Sequence, residues 1–292
     1  MIHQPRGQAA GPMLLVLAGL LSQNLGAAFA KQLFPLVGPL GATALRVSLA
    51  ALLLGLVWRP WRTRRTPSQW RGLALYGLSL GLMNILIYGA FARIPIGLAV
   101  AIEVTGPLAV VLVRSRQVVD LVFAGLAAAG LLLLLPIVSP AGVDPIGLAS
   151  AGGAAVTWAA YILLGAGVAG DGRSGETVAL GLAVAALVAA PIGVLQAGVM
   201  LLQPAVLVAG LGLAILSSAA PYSLEMFALR RLSPKVFAQL VASAPAVAAL
   251  VGWVTLGERL TLIQWAAIGL ITVAIAGASA VDRPRGQSGE GS

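Results

Sequence analysis

Residues 101–113, Ala-Ile-Glu-Val-Thr-Gly-Pro-Leu-Ala-Val-Val-Leu-Val, set one carboxylate, one hydroxyl and one proline in a run otherwise apolar enough for lipid. An ionisable side chain at mid-span costs about 3 kcal/mol to insert and usually faces a cavity or a partner. Pro107 has no N–H, so the carbonyl of Glu103, four residues earlier, loses its helical partner and a kink is expected there. A carboxylate and a bare carbonyl then share one turn with the Thr105 hydroxyl, and Gly106 leaves room for close approach. Such a group suits an ammonium ligand or a proton in transit. A second reading is a fixed ion pair with Arg46, the one arginine deep in another apolar run. Both can hold at different stages of a cycle.

Further polar groups are spaced to join a site. Gln23 and Asn24 interrupt the first apolar run and either line a pathway or bridge helices by hydrogen bonds. Asn84 and Tyr88 lie one turn apart, and Trp158 and Tyr161 share a helix face; each pair suits a cavity wall or interhelical packing. Pro221 frees the carbonyl of Ser217, beside Ser218, and makes another irregular polar spot. Glu225 follows Ser223 by two residues and precedes Arg230 and Arg231, so a snorkelling interfacial acid explains it as readily as a functional one.

Other chemistries lack their reagents. The chain has no cysteine, and its one histidine, His3, sits in a polar tail, which removes thiolate chemistry, His- or Cys-ligated metals and Ser-His-Asp catalysis. Gly77-Leu-Ser-Leu-Gly81 matches a nucleophile-elbow pattern, but without a histidine base its small-xxx-small spacing reads as helix packing. The acids are singly placed and form no Asp-rich metal cluster, so neither an enzyme, a metal nor a cofactor is expected. A channel or structural module carries less weight than a transporter and would show linear, non-saturating flux.

The elements that must hold these groups follow from composition. Of 292 residues, 59% are hydrophobic and 9% charged, with a mean hydropathy of +0.98. A soluble domain carries charge on about a quarter of its residues, so most of this chain does not face water. It is expected to be an all-α polytopic membrane protein. Since a spanning helix needs about 20 apolar residues, cuts at charges and Pro/Gly breaks give runs near 13–30, 34–57, 72–91, 95–113, 118–138, 146–167, 176–200, 205–228, 236–257 and 261–281. That is ten transmembrane helices between tails 1–12 and 282–292. A cleavable signal at Ala28-Phe29-Ala30 is disfavoured, because Ser22, Gln23 and Asn24 interrupt the apolar core it would need.

The net charge of +9 does not point to nucleic acid, because the basic residues lie in short clusters between apolar runs. With the N-terminus cytoplasmic, fourteen of them, among them Arg59, Arg62, Arg64, Arg65 and Arg71, fall on the inner side, against Lys31, Arg93 and Arg259 outside. Basic residues resist translocation, so both termini are expected in the cytoplasm. The connection from Trp58 to Arg71 then reads as a cytoplasmic loop flanked by interfacial Trp58, Trp61 and Trp70, rather than a lipid-phosphate or nucleic-acid patch.

A shift of 138 residues lays Val-Thr-Gly-Pro-Leu-Ala-Val-Val-Leu-Val (104–113) on Ala-Ser-Ala-Pro-Ala-Val-Ala-Ala-Leu-Val (242–251), Pro107 on Pro245, and Asp120 on Glu258. The halves 13–138 and 146–281 each hold five runs, an odd number, so the second enters the membrane inverted. Inverted repeats are the architecture of many secondary transporters, although a duplicated scaffold without transport would show the same pattern.

Residues 83–113, with Pro-Ile-Gly-Leu-Ala-Val-Ala-Ile-Glu-Val-Thr-Gly-Pro-Leu-Ala-Val (95–110), and residues 222–261, opening Tyr-Ser-Leu-Glu-Met, resemble the drug/metabolite transporter superfamily of EamA type, and within it the threonine/homoserine exporters of the inner membrane. The resemblance implies ten helices in two inverted five-helix EamA repeats, a multi-pass inner-membrane location, a central cavity, and export of small amino acids against protons. It maps the family carboxylates onto Glu103 and Glu225. Where the second repeat of such exporters commonly reads Glu-Pro, this chain has Ala244-Pro245, which opens the question of coupling ion and substrate. The expected partners are an amino-acid-like small molecule, protons and the lipid bilayer. GxxxG-like pairs serve internal packing or a homodimer equally. In this reading Glu103 holds a proton and the substrate ammonium in turn, Arg46 meets the substrate carboxylate, and Gln23, Asn24, Tyr88 and Trp158 assist; a cationic drug or another metabolite remains the alternative cargo.

Overall fold

The structure, a computed structural model, describes residues 10–114, 118–133, 144–168, 174–221, 224, 240–241 and 243–281. Among the described residues ten α-helical segments follow one another: α1 (Ala10–Trp58), α2 (Pro67–Phe91), α3 (Ile96–Glu103), α4 (Thr105–Arg114), α5 (Val118–Leu133), α6 (Pro145–Val168), α7 (Ser174–Ala197), α8 (Pro204–Ala214), α9 (Ala244–Leu256) and α10 (Leu262–Val281). Four of them, α1, α2, α6 and α7, are long and apolar enough by length and composition to cross a membrane, and shorter apolar stretches make up the rest. Leu14, Leu52, Leu121, Leu187 and Leu195 point outward and stay exposed, the arrangement expected when lipid replaces water as the surrounding medium. Among the described residues the regular structure is all helical, with the apolar helices of a membrane protein.

The helical segments do not divide as the apolar runs do. Runs 13–30 and 34–57 are joined in the single 49-residue α1, whose helix is interrupted at Gly38 (φ 69°, ψ 169°). The sequence break expected at Lys31 is absent because the lysine stays helical and satisfies its charge elsewhere. Its Nζ donates to Glu258 Oε1 at 2.6 Å and to the Ile94 carbonyl at 3.3 Å. The true break falls where only glycine tolerates the backbone, between Pro35 and Pro39. The freed N–H groups of Leu40 and Gly41 donate to Gln196 Oε1, at 2.8 and 3.3 Å, which ties the break to the end of α7.

Conversely, the run 95–113 is two helices, α3 and α4, parted at Val104. Pro107 removes the N–H that would have bonded Glu103, and the Thr105 hydroxyl instead donates to the Ile102 carbonyl at 2.6 Å. One repeat length later, Ser243 does the same, donating to the Leu240 carbonyl at 2.6 Å just before α9 and Pro245.

Helix ends are capped by local sequence. Thr66 and Gln69 form a reciprocal capping box at the start of α2, and Thr261 and Gln264 repeat it at α10. Asp144 caps α6, accepting from the N–H groups of Ile146 (2.8 Å) and Gly147 (3.1 Å). Those two bonds, with Arg93 at 3.1 Å, hold its carboxyl below the usual aspartate range, the Gly147 N–H being the largest cause.

Small residues set the packing. Gly77 and Gly81 lie against Gly181, Val184 and Ala185 of α7, so the nucleophile-like motif is a helix contact. Gly97 abuts Ala249 of α9, and Gly106 abuts the Ala155 backbone of α6. These contacts bring α3 to the centre of the molecule, where all eight of its residues are buried. The central helix therefore ends on Glu103.

Candidate functional site

Glu103 opens onto a cavity of about 260 Å³ enclosed by α1, α2, α3, α6, the end of α8 and the start of α9. Of the residues singled out from sequence, Gln23, Asn24, Arg46, Asn84, Tyr88, Glu103, Trp158 and Tyr161 line it, as do Ser217 and Pro221. Thr105 and Pro107 do not reach it; they shape the backbone behind Glu103. Glu225 lies outside the described residues.

Arg46 is aimed by neutral groups. Its Nη1 donates to Asn84 Oδ1, its Nη2 to the Ser217 carbonyl at 3.2 Å, and its guanidinium lies over the Tyr88 ring, 5.4 Å from the centroid. Ser217 sits in a π-helical turn, Ile215–Ala219, and its carbonyl is the one that Pro221 leaves without a helical partner. The irregular backbone is thus occupied by the cation. Asn84 is positioned in turn by its own Nδ2, which donates to the Leu80 carbonyl at 2.8 Å.

Neither Arg46 nor Glu103 forms an ion pair among the described residues. Among the described residues the ion pairs are Lys31–Glu258, Arg65–Glu176 and Arg93–Asp144, none of which involves Arg46 or Glu103. The fixed Arg46–Glu103 pair, the alternative raised by the sequence, is not formed. Arg46 keeps a buried Nε with no hydrogen-bond partner, and so does the Tyr88 hydroxyl. On the facing wall, Tyr161 and Tyr76 stack with centroids 4.7 Å apart and hydroxyls 3.0 Å apart.

Sequence reasoning did not select Met83, Phe91, Val100 or Val241, which complete the apolar wall. Their residue types are those of any membrane helix, so no signal marked them. Ala244, just before Pro245, also lines the cavity and offers it only a methyl group. Among the described residues no group of three or more His, Cys, Asp or Glu side chains is placed to hold a metal ion.

Apolar helices thus enclose a small cavity lined by one acidic and one basic side chain that form no ion pair among the described residues. Residues 145–280 match the EamA-like transporter family. The threonine/homoserine exporter RhtA of Escherichia coli (strain K12) is 48% identical over 269 residues, covering 92% of this chain and 91% of that protein. Its counterpart of the same name in Salmonella typhimurium (strain SL1344) is 46% identical over the same lengths. A crystal structure at 21% identity superposes with a TM-score of 0.60 over 94% of this chain and 97% of the other, a likeness of fold. The chain belongs to the EamA-like transporter family, a family of transporters and not of enzymes.

Proposed function

We propose that this protein exports small amino acids of the threonine/homoserine class across the inner membrane, by proton antiport and alternating access. The observation that carries the reading is that Glu103 and Arg46 line one small cavity and form no ion pair among the described residues. An amino-acid zwitterion presents an ammonium and a carboxylate within a few bonds, the complement of that pair. The cavity, near the small end of the roughly 300–1,000 Å³ range of ligand sites, favours a solute of that size over a drug or a nucleotide sugar. The exporter relatives carry the same two amino acids in their name.

Glu103 binds a proton or the substrate ammonium, one excluding the other. Exchange then couples the two fluxes without further machinery, because each state must be emptied before the other forms. Arg46 takes the carboxylate, held in place by Asn84 and Ser217, while Gln23, Asn24, Trp158 and Tyr161 complete the wall and Thr105 and Pro107 open the backbone. Glu225 is proposed as a second family carboxylate. Taking the Gly38 break as the end of one span, and α3 with α4 as another, gives ten spans in two inverted repeats, 13–138 and 146–281, with short tails. The equivalent Thr105 and Ser243 bonds support that duplication.

Both tails are assigned to the cytoplasm. The assignment rests on the charge asymmetry of the connections; it puts the Arg65–Glu176 end of α2 inside and the Arg93–Asp144 end outside. Efflux of labelled threonine and homoserine from proteoliposomes under an imposed pH gradient tests the proposal; saturable, gradient-dependent efflux is expected, and its absence for both amino acids would refute the substrate assignment.

A further inference from the structure

Tyr88 is fully buried at 2% exposure, yet its hydroxyl has no hydrogen-bond partner. Leaving a buried hydroxyl unsatisfied is costly, and the polar side chains beside it, Ser217 and Arg46, direct their bonded donors to other acceptors. Ser217 Oγ donates to the Leu213 carbonyl at 2.6 Å, and the two bonded Arg46 nitrogens are taken by Asn84 and the Ser217 carbonyl. The ring itself is fixed: Phe34 and Phe91 pack against it at centroid distances of 6.1 and 5.5 Å, and Arg46 covers its face. Tyr88 is therefore a fixed side chain lining the cavity together with Arg46 and Glu103, its buried hydroxyl available for a further hydrogen bond.

We propose that Tyr88 is the specificity determinant that reads the substrate's side-chain hydroxyl, and so selects hydroxylated amino acids over apolar ones of the same size. The inference rests on the exporter reading above. With the ammonium at Glu103 and the carboxylate at Arg46, the remaining polar group of threonine or homoserine is one hydroxyl, on Cβ in the first and Cγ in the second. Tyr88 both donates and accepts, so it serves either position without needing a fixed donor geometry. A site built around a substrate hydroxyl rejects the analogue lacking it more strongly than an apolar pocket rejects a methylene, because its own polar group is then left unpaired.

Removing the hydroxyl from threonine or from homoserine yields the same molecule, 2-aminobutyrate, which serves as one control for both. The test compares kcat/KM for threonine, homoserine and 2-aminobutyrate in proteoliposomes of the wild-type protein and of Tyr88→Phe, which keeps the ring and its packing. The wild type is expected to favour the two hydroxylated substrates by about tenfold or more, and Tyr88→Phe to bring that ratio close to one. A ratio unchanged by the substitution overturns the assignment while leaving export intact, and so does a wild type that carries all three alike. A loss in Tyr88→Phe that is equal for all three also overturns it, since Tyr88 would then serve every substrate. A wild type that carries none of them refutes the exporter reading, and this inference with it. Wild-type discrimination of threonine from its isostere valine gives a second measure that depends on no variant folding; equal transport of the two contradicts the role.

Discussion

Arg46 and Glu103 approach one cavity from α1 and α3 and do not pair with each other. Opposite charges in a low-dielectric interior attract strongly unless something holds them apart. Here the guanidinium is held by Asn84, the Ser217 carbonyl and the Tyr88 face, and the carboxylate is fixed at the end of a helix buried on every side. The separation is a property of the scaffold. It leaves both groups available to the zwitterion proposed as the substrate.

The clamp on Arg46 is directional, so shape matters as well as charge. Arg46→Lys keeps the charge but cannot reach Asn84 and the Ser217 carbonyl together. It is expected to raise the KM for amino-acid efflux by about tenfold or more. Asn84→Leu, which removes one acceptor and leaves the guanidinium, is expected to act in the same direction but more weakly. Transport assays on both variants, normalised to inserted protein, decide the order.

Lys31, Ile94, Ile96 and Glu258 knot three helices at one end of the bundle. Glu258 Oε2 accepts from the Ile96 N–H at 3.0 Å and caps α3, while Oε1 receives Lys31. Both side chains are largely shielded, at 24% and 11% exposure. Glu258→Ala is expected to cost about 1–3 kcal/mol by leaving Lys31 and the helix end unsatisfied. Thermal unfolding in detergent should show Lys31→Met/Glu258→Ala to be milder than Glu258→Ala alone.

Asp144 gives a pH signature. Its carboxyl is held below the ordinary range by the Gly147 N–H first, then by Arg93 and Ile146. A group with a depressed folded pKa stabilises the fold above its unfolded value, near 3.9 for aspartate, and loses that contribution as pH falls through the folded value. Wild type and Asp144→Asn should therefore differ in thermal stability at pH 6, and the gap should begin to close only below about pH 4. A gap that widens on acidification would contradict the cap.

The absence of native cysteine allows the orientation to be read directly. Arg259→Cys and Ser68→Cys, both at exposed positions near opposite ends of the bundle, should behave differently toward a membrane-impermeant thiol reagent. In intact cells the first is expected to label and the second only after lysis. The reverse pattern would invert the topology.

Much of the site was legible because the groups that mark it are foreign to lipid. Glu103, Arg46, Asn84 and Gln23 each stand out in an apolar run, and all four line the cavity. Pro107 and Pro221 announced broken backbone, and helix α3 ends and a π-helical turn forms close before them. What sequence could not supply was mutual geometry. Periodicity does not say that Arg46 would be met by a carbonyl and an amide instead of a carboxylate. Nor did composition reveal that Lys31 remains helical, since its partner Glu258 lies 227 residues away. The apolar wall was illegible for a simpler reason: Val100 and Phe91 have the same character as lipid-facing positions, and only tertiary packing separates the two faces.

The most direct test of Glu103 as the shared proton and substrate site is amino-acid efflux from proteoliposomes with and without an imposed pH gradient, wild type beside Glu103→Gln. The wild type is expected to respond to the gradient. Glu103→Gln, inserted to the same level, is expected to lose that response, because a neutral amide neither carries the proton nor pairs with the ammonium. Gradient-driven efflux undiminished in Glu103→Gln would contradict the account, leave Glu103 a structural residue, and make Glu225 the next residue to substitute.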